Sequence, residues 1–175
     1  MIIRPAQKND AHVMARIYVQ TWHDTYLGVV PFGYLYDMSE SQHEHSFFEE
    51  LKAGQVISFV AEDASKVVGF ITGGHERKGD LIYSGEIYTL YVLKMYQRRG
   101  IGVKLVSALT AELQHYGIYS MLVRVLERNP YRRFYEKING LYLQTQRVPF
   151  ADEILEVSAY GWIDTSLIRS EPDLF

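Results

Sequence analysis

Two glycines, Gly100 and Gly102, follow the basic pair Arg98 and Arg99 just ahead of a segment with helical spacing. Glycines lack a Cβ, so they let backbone N–H groups come close to a ligand, and the start of a helix adds its positive dipole end. The arginines add charge that pairs with phosphate oxygens. The segment therefore predicts a pyrophosphate-binding loop, although on spacing alone a simple tight turn explains two glycines equally well.

Two other kinds of phosphate loop do not fit these residues. No G-x-x-x-x-G-K-[ST] run occurs in the chain, and Leu105 stands where a dinucleotide-binding fingerprint needs its third glycine. A nicotinamide-nucleotide binder is therefore the most distant of the functional alternatives.

Glu86 supplies a carboxylate fourteen residues before Gly100, on a predicted strand at 86–93. Alternation along a strand predicts that Glu86 shares a face with Tyr88, Leu90 and Val92. A carboxylate in that place can accept a proton from an amine, directly or through water, or it can simply attract a cationic ligand. The sequence leaves both roles open.

Hydrophobic periodicity predicts the elements that position these residues. A short strand ends near Pro5, and helical segments follow as far as Gly54. Further strands are predicted at 56–61, 67–74, 86–93, 119–127, 141–148 and 154–163, with helices at 103–116 and 131–138. A helix between the fourth and fifth strands implies that these two pair in parallel within a largely antiparallel sheet, so the fold class is α/β. Residues 1–165 are expected to form one domain and 166–175 a loosely held tail.

The composition excludes several classes of function. The 175 residues include 18 basic and 21 acidic side chains, a formal net charge of −3, which argues against binding to duplex nucleic acid or to an anionic membrane. The chain has no cysteine, so a thiol nucleophile, disulfides and thiolate metal sites are excluded. Without a signal peptide or a long apolar run, the protein is expected in the cytoplasm. His43 and His45 point to different faces of a predicted helix, so no metal site is predicted.

Two motifs stand about thirty residues apart. The first is Gln97-Arg98-Arg99-Gly100-Ile101-Gly102 after the strand Tyr91-Val92-Leu93, which fits the pattern Q/R-x-x-G-x-G/A. The second is Asn129-Pro130-Tyr131-Arg132-Arg133-Phe134-Tyr135-Glu136-Lys137. In these motifs and in its order of elements, the chain resembles the GNAT superfamily of acetyl-CoA-dependent N-acetyltransferases over about residues 1–165. The resemblance implies a mixed, mostly antiparallel twisted sheet of about seven strands flanked by helices, with strands four and five parallel and splayed apart.

The resemblance also implies roles for individual residues. The pantetheine arm of acetyl-CoA would pair with the strand backbone near Leu90 to Val92, and the loop amides would hold the pyrophosphate. The cofactor-binding residues on this basis are Leu90, Tyr91, Val92, Gln97, Arg98, Arg99, Gly100, Ile101, Gly102, Val103 and Asn129.

Three groups would carry the chemistry. Tyr135 would protonate the departing thiolate of coenzyme A, unless it is only a packed aromatic beside Phe134. Glu86 would be the general base, or would bind the acceptor without taking its proton. The N–H of Val92, freed by a bulge in its strand, would stabilise the oxyanion.

The acceptor pocket is expected beside Trp22 and Tyr26, which lie four residues apart on one face of a predicted helix. Their rings can attract an ammonium group, although both residues fit equally well in the core. The expected function is direct transfer of acetyl from acetyl-CoA to a primary amine of a small molecule or peptide in a ternary complex, since no cysteine can carry the acetyl group. The alternative is a non-catalytic acyl-CoA-binding or sensor protein on the same fold, and the resemblance is compatible with a homodimer.

Overall fold

The computed structural model describes residues 1–168, which form one seven-stranded sheet with helices on both faces. The strands are β1 (Ile2–Pro5), β2 (Ile57–Asp63), β3 (Lys66–His75), β4 (Gly85–Val92), β5 (Met121–Leu126), β6 (Leu141–Phe150) and β7 (Glu153–Trp162). Their order in the sheet is β1-β2-β3-β4-β5-β7-β6, and every neighbouring pair is antiparallel except β4 and β5. The predicted fold class and the predicted parallel pair are thus confirmed.

The helices are α1 (Ala11–Tyr26), α2 (Phe32–Tyr36), α3 (Glu40–Ala53), α4 (Ile101–His115) and α5 (Arg133–Lys137). The last of these begins two residues later than predicted, because the side chain of Asn129 accepts a hydrogen bond from the N–H of Tyr131 and holds a turn ahead of the helix. Among residues 1–168, no helix has the length and apolar character needed to cross a membrane.

The helices divide the core between the two faces of the sheet. On one face, α4 buries Val106, Leu109 and Leu113 against strand residues such as Ile71. On the other face, α1 and α3 bury residues such as Met14 against the same sheet. Each helix therefore presents one apolar stripe to the sheet, as its spacing predicts.

The parallel pair at the centre of the sheet is short. β4 and β5 are paired only through Gly85–Ile87 and Met121–Val123, although β4 continues to Val92 and β5 to Leu126. Beyond the paired part, β4 remains bonded to β3 and β5 remains bonded to β7. The sheet therefore opens between the two strands, as the resemblance implied.

A register shift in β4 changes which residues share a face. Thr72 lies opposite Thr89, whereas Gly73 lies opposite Ile87, so Tyr88 is one extra residue between them. Because of this bulge, Ile87 packs on the α4 side together with Leu90 and Val92. Glu86, the neighbour of Ile87, therefore lies on the opposite face, and the prediction that it shares a face with Leu90 and Val92 is wrong.

The start of the predicted tail is packed onto the domain. Residues Thr165–Leu167 form one turn of 3-10 helix, Asn139 donates from Nδ2 to the carbonyl of Leu167 over 2.9 Å, and Ile168 belongs to the core. The expectation of a loosely held tail is therefore wrong for 166–168, and 169–175 lie outside the described residues.

Candidate active site

The opening between β4 and β5 leads into a cavity of about 190 Å³. Its walls come from the last turns of α1, the end of β4, the loop that enters α4, and the segment from Asn129 to Lys137. All the predicted cofactor residues except two line it: Leu90, Tyr91, Val92, Gln97, Arg98, Gly100, Ile101, Gly102 and Asn129. The structure thus brings both motifs to one place.

The two exceptions are Arg99 and Val103. Arg99 is exposed, and its guanidinium carbon lies 5.3 Å from the centre of the Tyr96 ring. The side chain of Val103 is fully buried in the core. Only the backbone N–H of Val103, in the first turn of α4, is available to a ligand.

The edge of β4 that faces the opening carries unpaired backbone groups. Leu93 donates its N–H to the carbonyl of Val68 over 2.9 Å, across the β3 side. Successive residues of an antiparallel strand turn their N–H groups alternately toward and away from the partner, so Leu90 and Val92 turn theirs toward the opening. β4 does contain a bulge, at Tyr88, but the N–H of Val92 is free because β5 has diverged.

The loop entering α4 is shaped by its two glycines. Gly100 caps the helix with φ 74°, a left-handed conformation that favours glycine. A Cβ on Gly102 would come within 3.2 Å of the Phe134 ring, so a side chain there would press against the second motif. The first N–H groups of α4 have no partner within the helix and lie at its positive dipole end. This arrangement suits an anionic group such as a pyrophosphate.

The side chain of Gln97 connects this loop to the end of β4 by a hydrogen bond. Its Nε2 donates to the carbonyl of Val92 over 3.0 Å. The helix N-terminus and the free edge of β4 are therefore held at a fixed separation along one wall of the cavity.

Tyr135 lies on α5 and lines the cavity with most of its surface buried. Burial raises the pKa of its hydroxyl well above the ordinary value, and the charge of Tyr26 would raise it further. The hydroxyl is therefore protonated at neutral pH. Within residues 1–168 the structure gives it no hydrogen-bond partner, so it is available to a ligand.

Asn129 lines the cavity but is already engaged. Its Oδ1 accepts from the N–H of Tyr131 over 2.8 Å, and its Nδ2 donates to the hydroxyl of Tyr26 over 2.7 Å. One N–H of the amide remains free to bind a ligand. Asn129 can therefore donate a single hydrogen bond to the cofactor.

Tyr26 and Trp22, the predicted acceptor residues, are separated by the structure. Tyr26 lines the cavity, whereas Trp22 lies behind its wall and is only 8% exposed. The indole of Trp22 packs against Tyr18, Tyr34 and Tyr26, with ring centres 4.7 to 5.7 Å apart. The expectation that Trp22 lines the amine pocket is therefore wrong, because its ring fills the core between α1 and α2.

Glu86 lies outside the cavity wall and is 2% exposed. Its Oε1 is 2.9 Å from Nη2 of Arg77 and 3.1 Å from Nη1 of Arg124. Burial alone would raise the pKa of Glu86, but the hydrogen bonds and charge of Arg77, together with the charge of Arg124, hold it below the ordinary value. A carboxylate so paired is a poor proton acceptor, and the structure does not bring Glu86 to the cavity with the other predicted site residues.

Some residues at the site were not predicted. Thr21 and Thr25 line the cavity from α1, and Arg133 and Lys137 line it from α5. The two residues of each pair are four positions apart, so they lie on the same face of their helix. Because each pair lies on either side of a predicted site residue in the sequence, this spacing could have been used to predict them.

The position of Phe150, which packs behind the cavity wall, was also not predicted. It comes from the end of β6, and its ring lies 4.5 Å from that of Tyr34 and is stacked on Trp22 at 6.3 Å. No local signal in the sequence places this residue against α1 and α2.

No group of three or more His, Asp or Glu side chains within residues 1–168 is placed to hold a metal ion. The ring of His43 packs against that of Tyr18, with ring centres 4.5 Å apart.

Comparison with known proteins gives consistent results. Residues 15–141 match the acetyltransferase (GNAT) family. The chain is 30% identical over 169 residues to a Bacillus subtilis (strain 168) protein named uncharacterized N-acetyltransferase YuaI, and the match covers 96% of each chain.

Solved structures share the fold. An N-acetyltransferase from Staphylococcus aureus Mu50 superposes with a TM-score of 0.74 and 22% identity, covering 94% of this chain and 98% of that one. YncA, described as a putative acetyltransferase from Salmonella typhimurium with its cofactor acetyl-CoA, gives a TM-score of 0.72 with 20% identity, covering 93% and 92%. With the family match and the relative of nearly equal length, these findings show that the chain belongs to the GNAT family of acetyltransferases.

Proposed function

We propose that this protein transfers an acetyl group from acetyl-CoA directly to a primary amine of a small molecule or peptide, with both substrates bound at once. One observation carries the proposal: the free amides of β4, the first turn of α4 and the protonated Tyr135 hydroxyl all face one cavity. Acetyl-CoA brings the activated acyl group, and the remaining tasks fall to the chain's own residues.

The cavity fits the two ends of such a donor. The amides of the loop and of the first turn of α4 suit the pyrophosphate, and Arg98 lines the same wall. The N–H groups of Leu90 and Val92 suit the amide-bearing arm, which would take the place that β5 leaves empty.

Tyr135 and Val92 are proposed to act on the reacting group. The N–H of Val92 faces the opening and can donate to the carbonyl oxygen as negative charge develops there. The Tyr135 hydroxyl holds its proton and can donate to the sulfur as the thiolate departs. Direct transfer is proposed because the chain contains no cysteine to form an acetyl-enzyme.

Glu86 has no part in this proposal. Its Oε1 is paired with Arg77 and Arg124, and its Oε2 accepts hydrogen bonds from the backbone N–H and Nε of Arg77. An acceptor amine would then lose its proton to water rather than to this carboxylate. The acceptor is proposed to enter on the side of Tyr26, where α1 borders the cavity.

The test is an assay of acetyl-CoA against a panel that contains a polyamine, an aminoglycoside, free amino acids and a peptide N-terminus. We expect at least one amine to gain an acetyl group by mass spectrometry, and Tyr135→Phe to reduce the turnover number about 100-fold while still binding coenzyme A. Binding of coenzyme A without acetylation of any amine would favour a non-catalytic acyl-CoA-binding protein.

The kinetic order tests the direct transfer. Double-reciprocal plots with both substrates varied should intersect. Parallel lines would contradict a ternary complex.

A further inference from the structure

The hydrogen bond between Asn129 and Tyr26 has a fixed direction. A backbone N–H can only donate, so the Asn129 atom that accepts from the N–H of Tyr131 at 2.8 Å must be its oxygen, Oδ1. The other atom of the amide is then Nδ2, which can only donate, and it lies 2.7 Å from the Tyr26 hydroxyl. The Tyr26 oxygen is therefore the acceptor in this bond, and the assignment does not depend on the choice of an amide rotamer.

The hydrogen of the Tyr26 hydroxyl must consequently point elsewhere. Within residues 1–168, the bond from Asn129 is the one hydrogen bond the structure gives this hydroxyl. Tyr26 is 5% exposed and lines the cavity. Burial raises the pKa of Tyr26 to about 12, although the bond from Asn129 lowers it, so the hydroxyl keeps its hydrogen at any ordinary pH. A buried hydroxyl that accepts one hydrogen bond and has no acceptor of its own needs one from a ligand.

The position of Tyr26 suggests which ligand atom this is. Tyr26 comes from the end of α1 and Tyr135 from α5, and both residues line the same cavity. The free edge of β4 at Leu90 and Val92 lies on the same cavity. Tyr26 therefore borders the place where Tyr135 and the Val92 N–H are proposed to act.

We propose that the hydroxyl of Tyr26, oriented by Asn129, donates a hydrogen bond to the carbonyl oxygen of the acetyl group in this cavity. It would be a catalytic residue that shares the developing negative charge with the N–H of Val92, and Asn129 would be its positioning residue. This inference rests on the proposed acetyl transfer.

The chemistry of the two substrates favours the carbonyl oxygen over the amine. A protonated amine has no lone pair to accept a hydrogen bond, and a neutral amine needs its lone pair for the attack. A thioester sulfur is a weak acceptor. The acetyl oxygen gains negative charge during transfer, so a hydrogen bond from Tyr26 strengthens as the reaction proceeds.

Asn129→Asp provides a matched test because it reverses the direction of the bond. A carboxylate has nearly the same shape and can still accept from the N–H of Tyr131 with one oxygen. Its second oxygen cannot donate, so the Tyr26 hydroxyl would turn its hydrogen toward Asp and away from the cavity. The variant therefore removes the donor from the ligand without removing the tyrosine.

The first measurement needs no acceptor amine. Acetyl-CoA labelled with carbon-13 at the acetyl carbonyl is bound to saturation, and the carbonyl resonance is compared with that of free acetyl-CoA. We expect the bound carbonyl resonance of the wild type to be shifted downfield, and this shift should be smaller in Tyr26→Phe and in Asn129→Asp. Tyr135→Phe, the matched control in the same cavity, should keep the wild-type shift. A resonance in Tyr26→Phe at the wild-type position would overturn the proposal, and so would a loss confined to Tyr135→Phe.

The second measurement uses the amine that the wild type acetylates. Tyr26→Phe and Asn129→Asp should each lower kcat about 10- to 100-fold, and Tyr26→Phe should leave the KM for acetyl-CoA within about twofold. Because both variants remove the same hydrogen, the double variant should be no slower than the slower single variant. Fully additive losses would contradict the shared role.

The two measurements separate failure of this inference from failure of the proposed function. A wild type that acetylates no amine would end the proposed function, while the carbonyl resonance would still decide whether Tyr26 contacts the acetyl oxygen. Full activity in Tyr26→Phe, with acetylation confirmed, would end the inference alone.

Discussion

The indole Nε1 of Trp22 donates a hydrogen bond to the hydroxyl of Tyr91 over 2.8 Å. The bond joins α1 to β4 directly behind the wall of the cavity. Burial raises the pKa of Tyr91 well above the ordinary value, even though the bond from Trp22 lowers it, so its hydroxyl is neutral and depends on this partner. Trp22, expected to line the acceptor pocket, thus serves to hold a wall residue in place.

Replacing Trp22 with phenylalanine should destabilise the fold. The change leaves the buried Tyr91 hydroxyl without its donor, so the free energy of unfolding should fall by about 1–3 kcal/mol in urea denaturation. The control is Tyr91→Phe in both backgrounds. Its cost should be smaller in Trp22→Phe than in the wild type, and equal costs would show that the bond contributes nothing.

Glu86→Gln should affect stability and leave the acid–base behaviour of the reaction unchanged. The substitution removes the charge that faces Arg77 and the mostly buried Arg124, so we expect a loss of about 2 kcal/mol in the free energy of unfolding. The midpoint of the pH–rate profile should match that of the wild type. Recovery of the rate of Glu86→Gln at high pH would instead restore the general-base role.

Gly102→Ala should weaken binding of coenzyme A. The new methyl group would lie 3.2 Å from the Phe134 ring and displace the second motif from the loop. We expect isothermal titration calorimetry to give about a tenfold higher dissociation constant, which corresponds to a loss of about 1.4 kcal/mol in binding free energy. Ser107→Ala, a change on the same helix away from the cavity, is the control; equal affinity in Gly102→Ala and Ser107→Ala would refute the packing argument.

Acid should destabilise the protein partly through Glu76. Burial would raise the pKa of this carboxyl, but hydrogen bonds from the N–H of Asp80, from Arg124 at 2.5 Å and from the N–H of Lys78 lower it to about 2. Since the folded pKa lies below the unfolded value, the stabilisation is complete above about pH 4.5 and is lost as the pH falls toward 2.

The check is urea unfolding followed by circular dichroism at a series of pH values. Glu76→Gln should show a flatter loss of stability between pH 4.5 and 2 than the wild type. The exposed Glu153→Gln should follow the wild-type curve, and a Glu76→Gln curve parallel to it would contradict the assignment.

Local sequence signals were enough to predict the framework of the site. The left-handed position of Gly100, the apolar stripe of α4 and the short helix carrying Tyr135 are each set by nearby residues, and they place the loop and the second motif correctly. The divergence of β4 from β5 was expected only from the family resemblance, because pairing between distant strands does not follow from any one segment of the sequence.

The errors arose where partners distant in sequence decide the outcome. The bulge at Tyr88 depends on pairing with β3, and it moved Glu86 to the other face of the sheet. Helical spacing correctly placed Trp22 and Tyr26 on one face of α1. It did not show that α2 and Phe150 would cover Trp22 while Tyr26 stayed at the cavity. Helical periodicity gives the relative positions of side chains, while their burial depends on what packs against them.

The short pairing of β4 with β5 makes the sheet incomplete along its central seam. With acetyl-CoA bound as proposed, the arm of the donor forms hydrogen bonds with the part of β4 that β5 does not reach. Binding of the ligand therefore stabilises the folded sheet. A ligand at 100 times its dissociation constant adds about 2.7 kcal/mol to the free energy of unfolding. The melting temperature of the protein should therefore rise with the concentration of its acyl donor.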